Sequence, residues 1–117
     1  MNTRQFIAIC AAAISLAGGA SAQTIHVTDT DSQRSVKVSY GDLDLAHAQG
    51  AQVLIDRVRQ ASQIACGESP SLANLEQTQA YRSCVVSTAD QAIASVGEPM
   101  VTAMYQNTAR PQLLAAR

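Results

Sequence analysis

The sequence contains no tryptophan, one phenylalanine and three tyrosines, and only 15% of its residues are charged. So few aromatic rings argue against the stacking platform on which proteins seat single-stranded nucleic acid. A basic stripe is also missing, because eight basic and nine acidic side chains almost balance. Nucleic acid is therefore not an expected partner, and the hydrophobic core has to be built from Val, Leu, Ile and Ala.

Long hydrophobic runs are missing as well. The longest, residues 6–16 (FIAICAAAISL), follows a basic residue and precedes an Ala-Ser-Ala site that ends at Ala22. Spanning a bilayer takes about 20 apolar residues, whereas this three-part pattern is typical of a secretory signal peptide. We therefore predict that residues 1–22 are a cleaved signal peptide, that the mature chain begins at Gln23, and that the protein is periplasmic or secreted. The alternative is a buried N-terminal helix.

Cysteine is scarce, with three in the chain, and Cys10 lies inside the predicted signal peptide. It sits in the middle of the apolar stretch after Ile9, so a lipid anchor is not expected. Export leaves Cys66 and Cys84, and such a pair in a small secreted domain predicts a structural disulfide. The alternative, a redox or nucleophilic pair, lacks both Cys-x-x-Cys spacing and a histidine nearby in sequence.

The chain without the leader has 95 residues (117 less 22), which suits a single domain over residues 23–117. Apolar and polar residues alternate over residues 24–28 and 35–40, and turn formers lie between these segments. This pattern predicts a β-hairpin. Because two strands alone are marginally stable in water, something must cover the apolar face of the hairpin.

Helical periodicity follows the hairpin. Apolar residues at helical spacing predict a helix over residues 48–66, which Gly67 is suited to end, and a second helix over residues 77–96. The main stripe of the first helix is Ala51, Leu54, Val58, Ala61 and Ala65, and that of the second is Tyr81, Cys84, Val85, Thr88, Ala92 and Val96. Residues 100–107 fit a short helix or a short strand, and the tail from Pro111 is expected to fray. The predicted fold class is α+β: an N-terminal β-hairpin, a disulfide-linked antiparallel α-helix pair and a short C-terminal segment.

Each predicted helix carries apolar residues away from its main stripe. Val53 and Ile64 form a second flank on the first helix, which is expected to touch a neighbour there. Val86, Ala89 and Ile93 form a second stripe on the other helix. Either the C-terminal segment, which we favour, or a second molecule is expected to cover this stripe, because burying a side chain such as Ile93 contributes roughly 1.5–3 kcal/mol.

Asp42, Asp44 and His47 are the residues most suited to bind a cation, since carboxylates and imidazole are metal ligands. A structural interpretation is stronger. Asp42 follows a glycine in a turn, and Asp44 precedes a helix whose dipole favours acidic side chains at that end. We therefore predict that Leu43 and Leu45 point into the core while both aspartates stay mostly exposed.

Other reactive patterns are not supported. Asp29-Thr30-Asp31 resembles the start of a calcium loop, but Arg34 occupies the sixth position, where glycine is needed. There is no Gly-x-Ser-x-Gly nucleophile motif, and the glycines do not cluster as a phosphate loop. No catalytic residue, no cofactor and no metal ligand is therefore predicted, and the protein is not expected to be an enzyme.

The segment VKVSYGDLDL, residues 36–45, resembles the signature of the UrcA family. The motif itself is Tyr40, Gly41, Asp42, Leu43, Asp44 and Leu45. Further matching positions are Gly50, Ala51, Leu54, Arg57, Val58, Ala61, Cys66, Gly67, Tyr81, Arg82, Ser83 and Cys84. The resemblance implies a small exported bacterial protein, often with this cysteine pair, and it implies no activity. Family members often have Ser or Thr and then Pro where Ala46 and His47 stand here, so Asp44 is expected to cap the first helix instead.

These observations predict a non-enzymatic protein that acts by binding in the cell envelope, either to itself or to another envelope protein. No membrane span is expected in the mature chain. The alternative is a cation-binding envelope stress protein that uses Asp42, Asp44 and His47.

Overall fold

The computed structural model describes residues 23–115, so the predicted signal peptide and its Cys10 lie outside the described residues. Strands β1 (Thr24–Thr28) and β2 (Ser35–Ser39) pair antiparallel, with Thr24 opposite Ser39. Ile25, Val27 and Val38 are buried beneath them. The predicted hairpin is confirmed, with β2 ending one residue earlier than expected.

The turn of the hairpin is held by Asp29, which is buried. Its carboxylate accepts hydrogen bonds from the backbone N–H groups of Asp31 at 3.1 Å and Ser32 at 3.3 Å, and from the Ser32 hydroxyl. These bonds, that of the hydroxyl above all, lower the pKa of Asp29. Asp29, the first residue of the calcium-loop-like sequence, thus stabilises the turn through its carboxylate.

Two long helices follow, α1 (Ala48–Ala65) and α2 (Leu75–Val96), and the disulfide links them. Gly67, just past α1, and Gly97, which caps α2, both have positive φ, as left-handed helix ends require. α2 starts two residues earlier than predicted. Its true N-cap is Asn74, whose side chain accepts a hydrogen bond from the Gln77 N–H at 3.0 Å.

α1 packs against β2, α2 and the C-terminal segment. The predicted stripe is buried and consists of Ala51, Leu54, Val58, Ala61 and Ala65. The second flank was assigned wrongly: Val53 and Ile64 are exposed, and Ile64 retains 65% of its surface. Ile55, which lies next to Leu54, is buried instead and widens the buried stripe.

The C-terminal segment is helical throughout. It comprises α3 (Pro99–Met104), a wider π-helical turn (Tyr105–Ala109) and α4 (Arg110–Ala115). The structure resolves the open alternative for residues 100–107 in favour of helix. The expectation that the tail frays from Pro111 is wrong, because the helix continues through it and Leu113 is buried with 8% exposure.

The wider turn explains how the tail stays packed. Val101, Tyr105, Ala109 and Leu113 are buried at intervals of four residues. Four residues of α-helix overshoot one turn by about 40°, so the stripe would drift off the core. The Arg110 N–H reaches back five residues to the Tyr105 carbonyl, and this wider turn offsets part of the drift.

The C-terminal segment helps to cover the second stripe of α2, as predicted. Val86, Ala89 and Ile93 are all buried within the single chain. Both α3 and α4 pack against α2, and Ile93 lines one pocket together with Tyr105. A second molecule is not needed to bury these residues.

Gly50 permits a close contact where the motif meets α1, and its replacement by Ala is expected to destabilise the fold. A Cβ atom there would lie 2.1 Å from the Asp44 carbonyl oxygen. Helix propensity alone favours Ala over Gly by ~1 kcal/mol, whereas overpacking costs ~1–3 kcal/mol or more. Gly50→Ala should therefore lower the free energy of unfolding measured in urea. Gly41→Ala is the control, since its nearest neighbour would be an ordinary 3.4 Å away. A stabilised Gly50→Ala variant would contradict the close contact.

Candidate functional site

Asp42 and Arg57 join the end of the hairpin to α1. The Arg57 guanidinium donates to both carboxylate oxygens of Asp42, at 2.9 and 2.8 Å, and also to the Ser39 carbonyl at 2.8 Å. Such a two-bond contact between a guanidinium and a carboxylate fixes the relative orientation of the two groups as well as the distance between them. The aspartate is exposed, as predicted, and its role in the structure is to position the motif.

The same contact sets the titration of Asp42. Hydrogen bonding from Arg57 lowers its pKa from 3.8 to about 2. Because the pKa in the folded protein lies below the ordinary value, this stabilisation is present above pH ~4 and is lost as the pH falls through about 2.

We expect NMR of the Asp42 carboxyl carbon to give a titration midpoint near pH 2, and this midpoint should move towards 3.8 in Arg57→Met. Arg59→Met, which removes a partner of Asp56 instead, should leave it unchanged. An Asp42 midpoint that is equal in wild type and Arg57→Met would rule out the contact.

The second half of the motif turns the chain into α1. The Asp44 carboxylate accepts a hydrogen bond from the Ala46 N–H at 3.1 Å and lies 2.7 Å from Nδ1 of His47. The N-cap position is occupied by His47, whose side chain caps nothing. The expectation that Asp44 caps α1 is therefore wrong: it binds the turn before the helix. Leu45 is buried as predicted, whereas Leu43 is only half-buried against the core.

The residues proposed as cation ligands are separated by these pairings. Asp42 is bound to Arg57, while Asp44 and His47 form their own exposed pair. Among residues 23–115, no group of three or more His, Cys, Asp or Glu side chains is arranged to hold a metal ion.

Cys66 and Cys84 form the predicted disulfide, with an S–S distance of 2.04 Å and Cα atoms 6.0 Å apart. The Thr88 hydroxyl lies 3.7 Å from the sulfur of Cys66 and 3.9 Å from that of Cys84. The bond joins the end of α1 to the middle of α2. The start of α2 therefore extends past the end of α1.

A polar cluster on the C-terminal segment was missed by sequence reasoning. The Tyr105 hydroxyl donates to the Asp90 carboxylate at 2.7 Å, and Arg110 Nε donates to the same group at 3.2 Å. Burial, aided by Asp90, raises the pKa of Tyr105. These residues lie up to 20 positions apart, and no local pattern connects them. The cluster ties the C-terminal segment to α2.

The feature most suited to binding is an apolar cleft near the disulfide, between the loop after α1, the start of α2 and α4. It has a volume of about 320 Å³. Its apolar walls are Pro70, Leu72, Tyr81, Val85 and Leu113, and Arg82 is among its polar residues. Leu72 and the neighbouring Leu75 are 74% and 73% exposed. Tyr81 and Val85 were predicted to lie on the main apolar stripe of the second helix. The cleft itself could not be predicted, because Leu113 reaches it only through α4, which was not expected.

No helix within residues 23–115 has the length and apolar content needed to cross a membrane. Comparisons of the chain with protein-family models, curated proteins and solved structures give no match. The family resemblance of the Tyr40 to Leu45 motif therefore stays a prediction.

Proposed function

We propose that the protein is an exported member of the UrcA family and acts by binding another protein of the cell envelope rather than by catalysis. The observation that carries the proposal is the apolar cleft with exposed Leu72 and Leu75 beside it. Large apolar side chains grouped at one place on a surface mark interaction sites more often than isolated ones do. An aromatic residue and an arginine in the same cleft, Tyr81 and Arg82, are of the types that dominate binding energy at interfaces.

The chemistry of the remaining polar groups supports binding over catalysis. The carboxylates of Asp29, Asp42 and Asp90 are engaged in contacts that hold the fold. Cation binding through Asp42, Asp44 and His47 has less support, because Arg57 occupies the first of these groups.

Export is supported by the N-terminal sequence and by the disulfide, which persists in oxidising compartments. We expect the protein isolated from the periplasm or the medium of a bacterial host to have the mass of residues 23–117 with one disulfide. Intact-mass spectrometry with and without reductant checks both points. Full-length protein retained in the cytoplasm, with free thiols, would contradict the export proposal.

Site-specific photo-crosslinking tests the binding site. A photo-reactive residue, p-benzoylphenylalanine, at position 72 should give a discrete adduct with an envelope protein in intact cells. The same residue in place of Gln52, an exposed position on α1 outside the cleft, should not.

Two matched substitutions sharpen this test. Leu75→Ser, three residues along the chain from the cleft residue Leu72, should reduce the adduct. Val53→Ser, at an exposed apolar position on α1 that does not line the cleft, should preserve it. Exposed substitutions of this kind usually change stability by no more than ~0.5 kcal/mol. Identical adducts from positions 72 and 52, or none at all, would contradict binding through the cleft.

A further inference from the structure

The hairpin has one strand edge that faces a groove. The backbone N–H of Tyr40 donates to the Gln23 carbonyl, and that of Asp29 donates to the Arg34 carbonyl. Between these two bonded pairs, hydrogen-bonded and non-hydrogen-bonded pairs alternate along the register. The residues of β2 that lie between bonded pairs turn their backbone N–H and C=O groups away from β1. These residues are Ser35, Lys37 and Ser39. The contact from Arg57 to the Ser39 carbonyl agrees with this alternation.

The groove lies between this edge and α1, which packs more closely on β2 than on β1. It has a volume of about 350 Å³, and its helical wall is formed by Arg57, Gln60, Ala61 and Ile64. Ile64 is a large apolar side chain left 65% exposed beside unpaired strand groups. The groove shares no lining residue with the cleft near the disulfide, so this inference does not depend on the proposed function.

The alternation of side chains along β2 indicates which residues a segment bound in the groove should carry. Val36 and Val38 face the core side and Lys37 faces the outer side, so a strand added to β2 would place its own residues on the two faces in turn. Residues on the core side would lie against Ile64, which favours apolar side chains. A residue opposite Lys37 would favour an acidic side chain, since opposite charges across strands attract. Arg57 adds no net charge, because Asp42 neutralises it.

We propose that the edge of β2 binds an extended segment of another protein, which adds as a third strand and alternates apolar with acidic residues. Strand addition of this kind draws affinity from main-chain hydrogen bonds and specificity from alternate side chains. The Arg57 side chain already occupies the Ser39 carbonyl and so marks one end of the bound segment. A second copy of this chain fits less well, because antiparallel pairing centred on Lys37 would place two lysines opposite each other.

The test uses residues 23–117 and two synthetic peptides, acetyl-Val-Glu-Val-Glu-Val-amide and its counterpart with lysine in place of glutamate. In amide NMR titrations the glutamate peptide should shift the Lys37 and Ser39 signals and slow their hydrogen exchange. The lysine peptide should not. Amides on the outer edge of β1, such as that of His26, should be unaffected.

Two proline variants isolate the backbone donor. Lys37→Pro removes the lysine charge together with an N–H that the hairpin does not use, whereas Lys37→Thr removes the charge and keeps the N–H. Lys37→Pro should bind about fivefold to tenfold more weakly than Lys37→Thr, as loss of one hydrogen bond implies. His26→Pro makes the same change at the directly opposite residue and should leave binding intact. Lys37→Glu keeps the N–H and should reverse the preference towards the lysine peptide, which tests the charge without a proline.

Equal binding of both peptides by the wild type would overturn the proposal. So would slowed exchange at His26 in place of Lys37, or no change at Lys37 at millimolar peptide. Slowed exchange at Lys37 on raising the protein concentration without peptide would show self-pairing and would also overturn it.

Discussion

A chain that ends at Pro99 is expected to lose most of its stability. The truncation removes the buried side chains of Val101, Tyr105 and Leu113 and uncovers Ile93. Burying one large apolar side chain contributes roughly 1.5–3 kcal/mol, so the loss over these four side chains is roughly 6–12 kcal/mol. Because a typical domain has only ~5–15 kcal/mol in total, the truncated chain should be largely unfolded by far-UV circular dichroism.

A second truncation provides the control. A chain that ends at Leu113 keeps all the buried positions of the C-terminal segment and loses only the exposed Leu114 and the residues beyond it. Its urea midpoint should match that of the full chain. A chain ending at Pro99 that proves as stable as the full chain would show that the C-terminal segment does not cover α2. If instead the stability of the intact chain rises with its concentration, part of the cover comes from a second molecule.

Removal of the disulfide is expected to cost ~3 kcal/mol, because the bond closes a loop of 18 residues in the unfolded chain. The double variant Cys66→Ala/Cys84→Ala should therefore unfold at a lower urea concentration than the oxidised wild type. The change should appear in the midpoint, while loss of a cross-link that restricts the unfolded chain can also raise the slope.

Reductant separates the effect of the bond from that of the substitutions. It should lower the stability of the wild type towards that of the double variant and leave the double variant unchanged. A difference of less than ~1 kcal/mol between oxidised and reduced wild type would show that the bond adds little to the fold, at the low end of the known range.

Much of the fold could be predicted because its signals are local. Short stretches of sequence contain the alternation that predicts β1 and β2. They also contain the apolar stripes that predict α1 and α2. Prediction of the disulfide needed only two cysteines and the sequence pattern of an export signal. Even the burial of Leu45 followed from its place between a turn and a helix.

What could not be predicted depends on contacts between distant residues. Asp90 forms its hydrogen bonds with Tyr105 and Arg110 only when the C-terminal segment packs against α2. The spacing of four residues from Val101 to Leu113 places these side chains on one face of either a short helix or a short strand, so it does not distinguish the two. The π-helical turn that helps to keep all four buried has no signal in the local sequence. The exposure of Ile64 likewise depends on where β2 ends up relative to α1, which no local period specifies.

The position of the disulfide also determines what a protease can do to the chain. The segment around Leu72 is exposed and lies between the two bonded cysteines, and exposed loops are where proteases cut most readily. A single cut there leaves both pieces covalently joined. The nicked protein keeps its size in a non-reducing gel and separates into two fragments only after reduction. Cleavage beside the proposed binding cleft can therefore change the cleft while the hairpin, α1 and α2 remain one molecule.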